Sequence, residues 1–131
     1  MAKRIPHCLA IWIDHKEAVV IDTLDPKASR NSKIFTIAGP HHKKNGNSRR
    51  GADSHRREDL KEFYDSVIQY LNKAETVLII GPAQAKFELR ERIQHYKKLK
   101  YLPLTLQNAP PLNEHALLRR ITRYFAQQYG F

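Results

Sequence analysis

A single cysteine among 131 residues rules out an internal disulfide framework, and Cys8 reads as a small packed residue in a reducing compartment. Long apolar runs are missing too. The stretch after the basic N-terminus, CLAIWI, is cut by Asp14, too soon for a signal-peptide core or a bilayer span. The expectation is a cytoplasmic protein without a membrane partner. Acids are scarce: 13 Asp and Glu stand against 23 Lys and Arg, for a net charge of +10 at pH 7. That one-sided sign favours a polyanionic partner, nucleic acid ahead of an anionic membrane. No internal repeat is visible. The one stretch resembling a phosphate loop, Gly81-Pro82-Ala83-Gln84-Ala85-Lys86, lacks the second glycine and the Lys-Ser/Thr pair, so no nucleotide or other small-molecule cofactor is expected.

What is present is an alternation of strand and helix periods. Cys8 to Asp14 sets Leu9, Ile11 and Ile13 against Ala10, Trp12 and Asp14, the period of a strand. A polar turn leads to AVVID (Ala18–Asp22), and a second one to KIFTIA (Lys33–Ala38). Beyond Arg57 the period changes: Leu60, Phe63, Tyr64, Val67, Ile68 and Leu71 fall at helical spacing. TVLII (Thr76–Ile80) reads as a buried central strand, and Pro82 is expected in the first turn of a helix carrying Phe87, Leu89, Ile93 and Tyr96. Leu102–Leu106, with Pro103, reads as an edge strand, and Asn113 as the N-cap of a last helix. The order β-β-β-loop-α-β-α-β-α predicts one α/β domain over residues 1–131, with a mixed sheet of about five strands and three helices.

Gly39 to Arg57, GPHHKKNGNSRRGADSHRR, interrupts that alternation as a long polar loop. It holds six Lys and Arg against one acid, Asp53, about half of the net charge. The bland reading is a solvated loop that keeps the chain soluble; the functional one is contact with a phosphate backbone. Arg49, Arg50, Arg56 and Arg57 present planar forks, Lys43 and Lys44 act as mobile point charges, and Asn45, Asn47 and His55 add hydrogen bonds. Lys86, at the start of its helix, is a further candidate for an RNA phosphate. His41, His42 and His55 lack the spacing of a zinc site, and Asp14, Glu17 and Asp22 read as turn and strand-end residues rather than a two-metal centre, so no metal is expected. The Arg90–Lys100 and Arg119–Arg123 groups read as solvated helix faces.

The stations KIFTIA, GPHHKKNGNSRRG, DLKEFYDSVIQYL, TVLIIGP and AQAKFEL resemble the middle domain of archaeo-eukaryotic class 1 release factors and Pelota, roughly from Cys8 to Phe125. The resemblance implies a fold of the release-factor middle-domain, ribonuclease H-like type, and the ribosome, rRNA or tRNA as partner. In release factors this loop carries Gly-Gly-Gln, whose glutamine helps position water at the peptidyl-tRNA ester. No Gly-Gly-Gln occurs here, and the loop has no glutamine. The expectation is therefore a ribosome- or RNA-associated binding protein, in rescue or hibernation, rather than an enzyme. Two alternatives stand beside it: a peptidyl-tRNA hydrolase with a divergent loop, and a protein-protein adaptor.

Overall fold

The computed structural model describes residues 6–23, 33–40 and 49–130, and for 23 and 49–55 the backbone alone. Strands β1 (Cys8–Ile13), β2 (Glu17–Thr23) and β3 (Lys33–Ala38) form the expected antiparallel meander, with Cys8 opposite Thr23 and Glu17 opposite Ala38. Asp14 makes the first corner: its Oδ1 accepts the amides of Lys16 and Glu17, both at 2.8 Å. This is the local bonding that makes Asp a turn residue.

Helix α1 (Arg49–Ile68) leads through a 3-10 turn at Gln69–Leu71 into β4 (Thr76–Gly81). Then come α2 (Ala85–Gln94), a 3-10 turn at Lys97–Leu99, β5 (Leu104–Asn108) and α3 (Glu114–Tyr129). Strands β4 and β5 run parallel to β1, giving the sheet order β3-β2-β1-β4-β5. The mixed five-stranded sheet with three helices is the architecture that the alternation of periods predicts.

The central strands are buried on both faces, as their continuous apolar runs require. Leu9, Ile11, Ile13, Val77 and Ile79 pack beneath Phe63, Val67, Leu89 and Ile93 of α1 and α2. Cys8, Ala10, Trp12, Leu78 and Ile80 pack beneath Leu117, Ile121 and Phe125 of α3. Burial, with Glu75 second, pushes the Cys8 thiol up to about 11, which leaves it protonated and inert at neutral pH. The Trp12 indole donates to the Pro110 carbonyl at 3.2 Å. Asn113 caps α3 as expected, its Oδ1 accepting the Ala116 amide at 2.8 Å. Strand β5 starts just after Pro103 and, among the described strands, pairs with β4 alone, which makes it an edge of the sheet.

Three expectations need correction. The loop does not extend to Arg57: α1 begins at Arg49, so Arg49, Arg50, His55, Arg56 and Arg57 are helical. Pro82 lies in the bend before α2, which starts at Ala85 after a Gln84 cap without a side-chain bond. Tyr96 is not on α2, which ends at Gln94; it opens the following 3-10 turn, while Phe87 is on α2 as expected, 40% exposed, with the cations of Lys86 and Arg90 4.7 Å and 5.5 Å from its ring centre. Among the described residues, no helix is long and apolar enough to cross a membrane.

Candidate nucleic-acid interface

Strands β1, β4 and β5 all point their carboxyl ends to one margin of the sheet, ending at Ile13, Gly81 and Asn108. Open α/β sheets place their ligands at that margin. Because Ala38 pairs with Glu17, β3 ends there too, and the basic segment departs from it. Gly39 fixes the departure: its amide donates to the Lys16 carbonyl at 2.7 Å, and a Cβ there would meet the His15 carbonyl oxygen at 2.6 Å. Only glycine admits so close an approach of two backbones.

Helix α1 reaches past this margin. A shallow cleft lined by Gly39 and Pro40 on one side and Asp59, Glu62 and Phe63 on the other puts the loop's departure beside the middle of the helix. Among the described side chains of α1, core contact begins at Leu60 and Phe63, whereas Arg56, Arg57 and Glu58 are exposed. The ten residues of α1 before Asp59 therefore overhang the sheet, by roughly 15 Å at the α-helical rise. Positions 49 and 56, and 50 and 57, are separated by two turns and lie nearly in line along the helix axis. The first turn carries no acid to offset them. The side chains of Arg49, Arg50 and His55 lie outside the described residues, as do Lys43, Lys44, Asn45, Asn47, His41 and His42.

Below the overhang, a groove of about 520 Å³ runs between α1 and α2, lined among others by Arg57, Lys61, Tyr64, Glu88, Arg92 and His95. Glu88 is its pivot. The Tyr64 hydroxyl donates to Glu88 Oε1 at 2.6 Å, and His15 Nε2 lies 3.1 Å from the same oxygen. Burial and then the Glu88 carboxylate push the Tyr64 hydroxyl far above the ordinary tyrosine range. One turn along, Arg92 makes a two-pronged contact with Asp65 at 2.8 Å and 3.0 Å, and Tyr96 donates to Asp65 at 2.7 Å. The Arg92 bonds hold the Asp65 carboxyl below its usual range despite partial burial. Asp65 in turn raises Arg92 and Tyr96. This second cluster ties α1 to α2 and sets the groove's width.

Lys86 does not join the basic surface. It is 3% exposed, with its ammonium donating back to the Ala83 carbonyl at 2.5 Å, so it cannot present its charge to a phosphate in this conformation. The preceding turn is shaped by packing: a Cβ on Gly81 would fall 2.1 Å from the Ile13 carbonyl oxygen. Asp22 lies 2.5 Å from His7 Nε2 at the opposite end of the sheet, away from Asp14. Among the described residues, no three His, Cys, Asp or Glu side chains converge as a metal would require. Sequence reasoning did not single out His15, Glu88 or Tyr64. They come from three separate elements, and no spacing along the chain connects them.

No protein-family model and no curated protein matches the sequence. In fold the chain is similar to the crystal structure of Pelota from Archaeoglobus fulgidus, with a TM-score of 0.58 and 13% identity. The match covers 95% of this chain but 34% of that one, so this chain spans about a third of the Pelota length. The likeness is one of architecture: the five-stranded mixed sheet with its three helices is Pelota-like.

Proposed function

We propose that this Pelota-like domain binds RNA of the translation machinery, in rRNA or tRNA, through the overhanging half of α1 and the basic residues before it. The observation that carries the reading is the overhang: a helix segment bearing Arg49, Arg50, Arg56 and Arg57 leaves the sheet where the basic segment also departs. A helical segment that carries four arginines can enter a groove between phosphate strands. Each cation that neutralises a phosphate releases condensed counterions, which supplies affinity without base specificity. The fold likeness to Pelota supports the ribosome as the source of that RNA. Rescue or hibernation is the finer form of the same reading.

The test is comigration with ribosomal particles in a gradient at moderate salt, before and after nuclease treatment, with RNA affinity measured across a salt series. Replacing the four arginines by Ala should flatten the log–log salt slope by up to about 3. No binding to ribosomes, tRNA or any RNA at low salt would refute it.

A second reading, hydrolysis of the peptidyl-tRNA ester, is favoured by one observation. His15 stands at the loop's departure with its ring held by Glu88, the arrangement of a general base and its orienting carboxylate. Ribosomes carrying peptidyl-tRNA discriminate the two. Peptide release that His15→Ala abolishes would establish hydrolysis, and no release above background would leave binding alone.

A further inference from the structure

At the opposite margin of the sheet, the 3-10 turn after α2 carries Lys97 and Lys98 and is capped by Lys100, which Tyr101 follows. The sequence places these lysines on a solvated helix face. The structure takes them off α2 altogether and sets them on a tight turn that feeds β5 at its amino end.

Tyr101 is the unusual residue. It is 87% exposed, whereas the other exposed large hydrophobic residues, Tyr70, Phe87 and Tyr129, lie between 37% and 40%. An exposed ring on a fraying tail would mean little, but this one is held out on a braced turn. Leu99 and Leu102, on either side, pack against the core. The Leu99 amide donates to Tyr96 at 3.0 Å, and the Leu102 amide to Leu99 at 3.1 Å. Tyr96 is itself anchored through Asp65. The backbone that carries the ring is therefore already held in place before a partner arrives.

Its surroundings are cationic. Lys100 Nζ lies 5.7 Å from the ring centre. Lys97 and Lys98 line an adjoining groove of about 670 Å³, whose far wall offers the amide side chains of Gln69 and Asn72. The one carboxylate in that groove, Asp65, is engaged by Arg92 and Tyr96. No described carboxylate pairs with Lys97, Lys98 or Lys100.

We propose that Tyr101 with Lys97, Lys98 and Lys100 forms a second RNA contact, a stacking platform for an unpaired base of single-stranded RNA whose backbone runs along the lysines. An open aromatic face stacks on any base, and flexible lysines track phosphates without demanding one geometry. A duplex would leave the ring idle, because its bases are already stacked. This inference rests on the RNA-binding reading above and extends it to the far side of the domain. The two contacts lie at opposite ends of strands roughly 20 Å long, so each can be removed alone.

The experiment measures binding of a labelled single-stranded RNA and of a duplex of the same sequence by fluorescence anisotropy, over a salt series. The proteins are the parent chain, Tyr101→Ala, Tyr101→Trp, the triple variant K97A/K98A/K100A, and the variant with the four α1 arginines replaced. Tyr101→Ala should weaken single-strand binding roughly 5- to 150-fold with the salt slope unchanged, and Tyr101→Trp should retain it. The lysine variant should lower the slope by about 2. Duplex affinity should be indifferent to residue 101. Single-strand binding unchanged within twofold in Tyr101→Ala would overturn the platform while leaving the α1 reading intact. Loss through Tyr101 but not through the arginines would keep the platform and remove the α1 interface. Displacement of the RNA by a polyglutamate chain as readily from Tyr101→Ala as from the parent would point to an acidic protein partner and overturn the proposal.

Discussion

Replacing Gly81 by Ala strikes the seam on which the whole sheet depends. The added Cβ would lie 2.1 Å from the Ile13 carbonyl oxygen, where real contacts essentially never fall below 3.0 Å. The obstacle is the backbone of β1, the middle strand of five, and it has no flexible end to swing aside. Relief requires opening the seam by roughly 1 Å, the gap between those two distances. That movement loosens the backbone bonds that pair β4 with β1 at this end of the sheet. Two such bonds at about 1 kcal/mol each, with overpacking strain of about 1–3 kcal/mol, give a loss of about 3–5 kcal/mol. For a domain of this size that lowers Tm by about 10–20 °C. Thermal and urea unfolding followed by circular dichroism and by Trp12 fluorescence would measure it. Trp12 sits beside this seam, paired opposite Ile80, and is the chain's one tryptophan. A loss below about 1 kcal/mol would refute the reasoning. Gly39→Ala makes a serviceable contrast: its 2.6 Å conflict lies at the sheet's margin, so RNA binding should suffer more than stability.

Asp65→Asn should destabilise the fold by about 1–2 kcal/mol near neutral pH, a figure kept small because its side chain is a third exposed. The folded Asp65 carboxyl is held below its unfolded value, so its contribution is full above about pH 4 and fades as pH falls through the folded value. Urea midpoints of parent and variant should therefore converge in acid; a constant difference down to about pH 2 would contradict this. Cys8, fully buried and with its thiol held near 11, should resist iodoacetamide at pH 8 in the folded protein and react once urea unfolds it. Prompt alkylation in the native state would contradict the burial. Lys86→Met should leave both RNA affinity and salt slope unchanged, because that ammonium faces Ala83 rather than solvent; a slope lowered by about 1 would return Lys86 to the interface.

The sequence reveals the elements that hydrophobic residues write. Leu9, Ile11 and Ile13 against Ala10 and Trp12, the run TVLII, and the Asn113 cap all foretell what is seen, because burial on one or both faces dictates those patterns. It fails where a helix has no core to mark it. From Arg49 to Arg57 there is no large apolar residue, so no period shows, although Arg and Ala are good helix formers. Once the segment around Phe63 and Val67 is packed, extending the helix backwards costs little compared with starting one. Lys86 and Tyr101 fail for the opposite reason. A charged residue is expected outside and an aromatic inside, and here the lysine is 3% exposed and the tyrosine 87%. The His15–Glu88–Tyr64 cluster depends on tertiary placement alone.

Of the five described strands, the first to be made is the middle strand of the finished sheet, and this has consequences for how this domain emerges during synthesis. β1 finds β2 across a short corner, but its other edge waits for β4, which begins only at Thr76. Closing that roughly twentyfold longer loop costs about 2–3 kcal/mol more in chain entropy. One face of CLAIWI waits longer still, until α3 arrives near the C-terminus. Throughout that interval the nascent chain holds out a wholly apolar strand with an unpaired edge, the feature most prone to pair with another copy. Slow translation, or many ribosomes close together on one message, would therefore favour aggregation, and a holdase that covers residues 8–13 until Phe125 has cleared the exit tunnel would raise the folded yield.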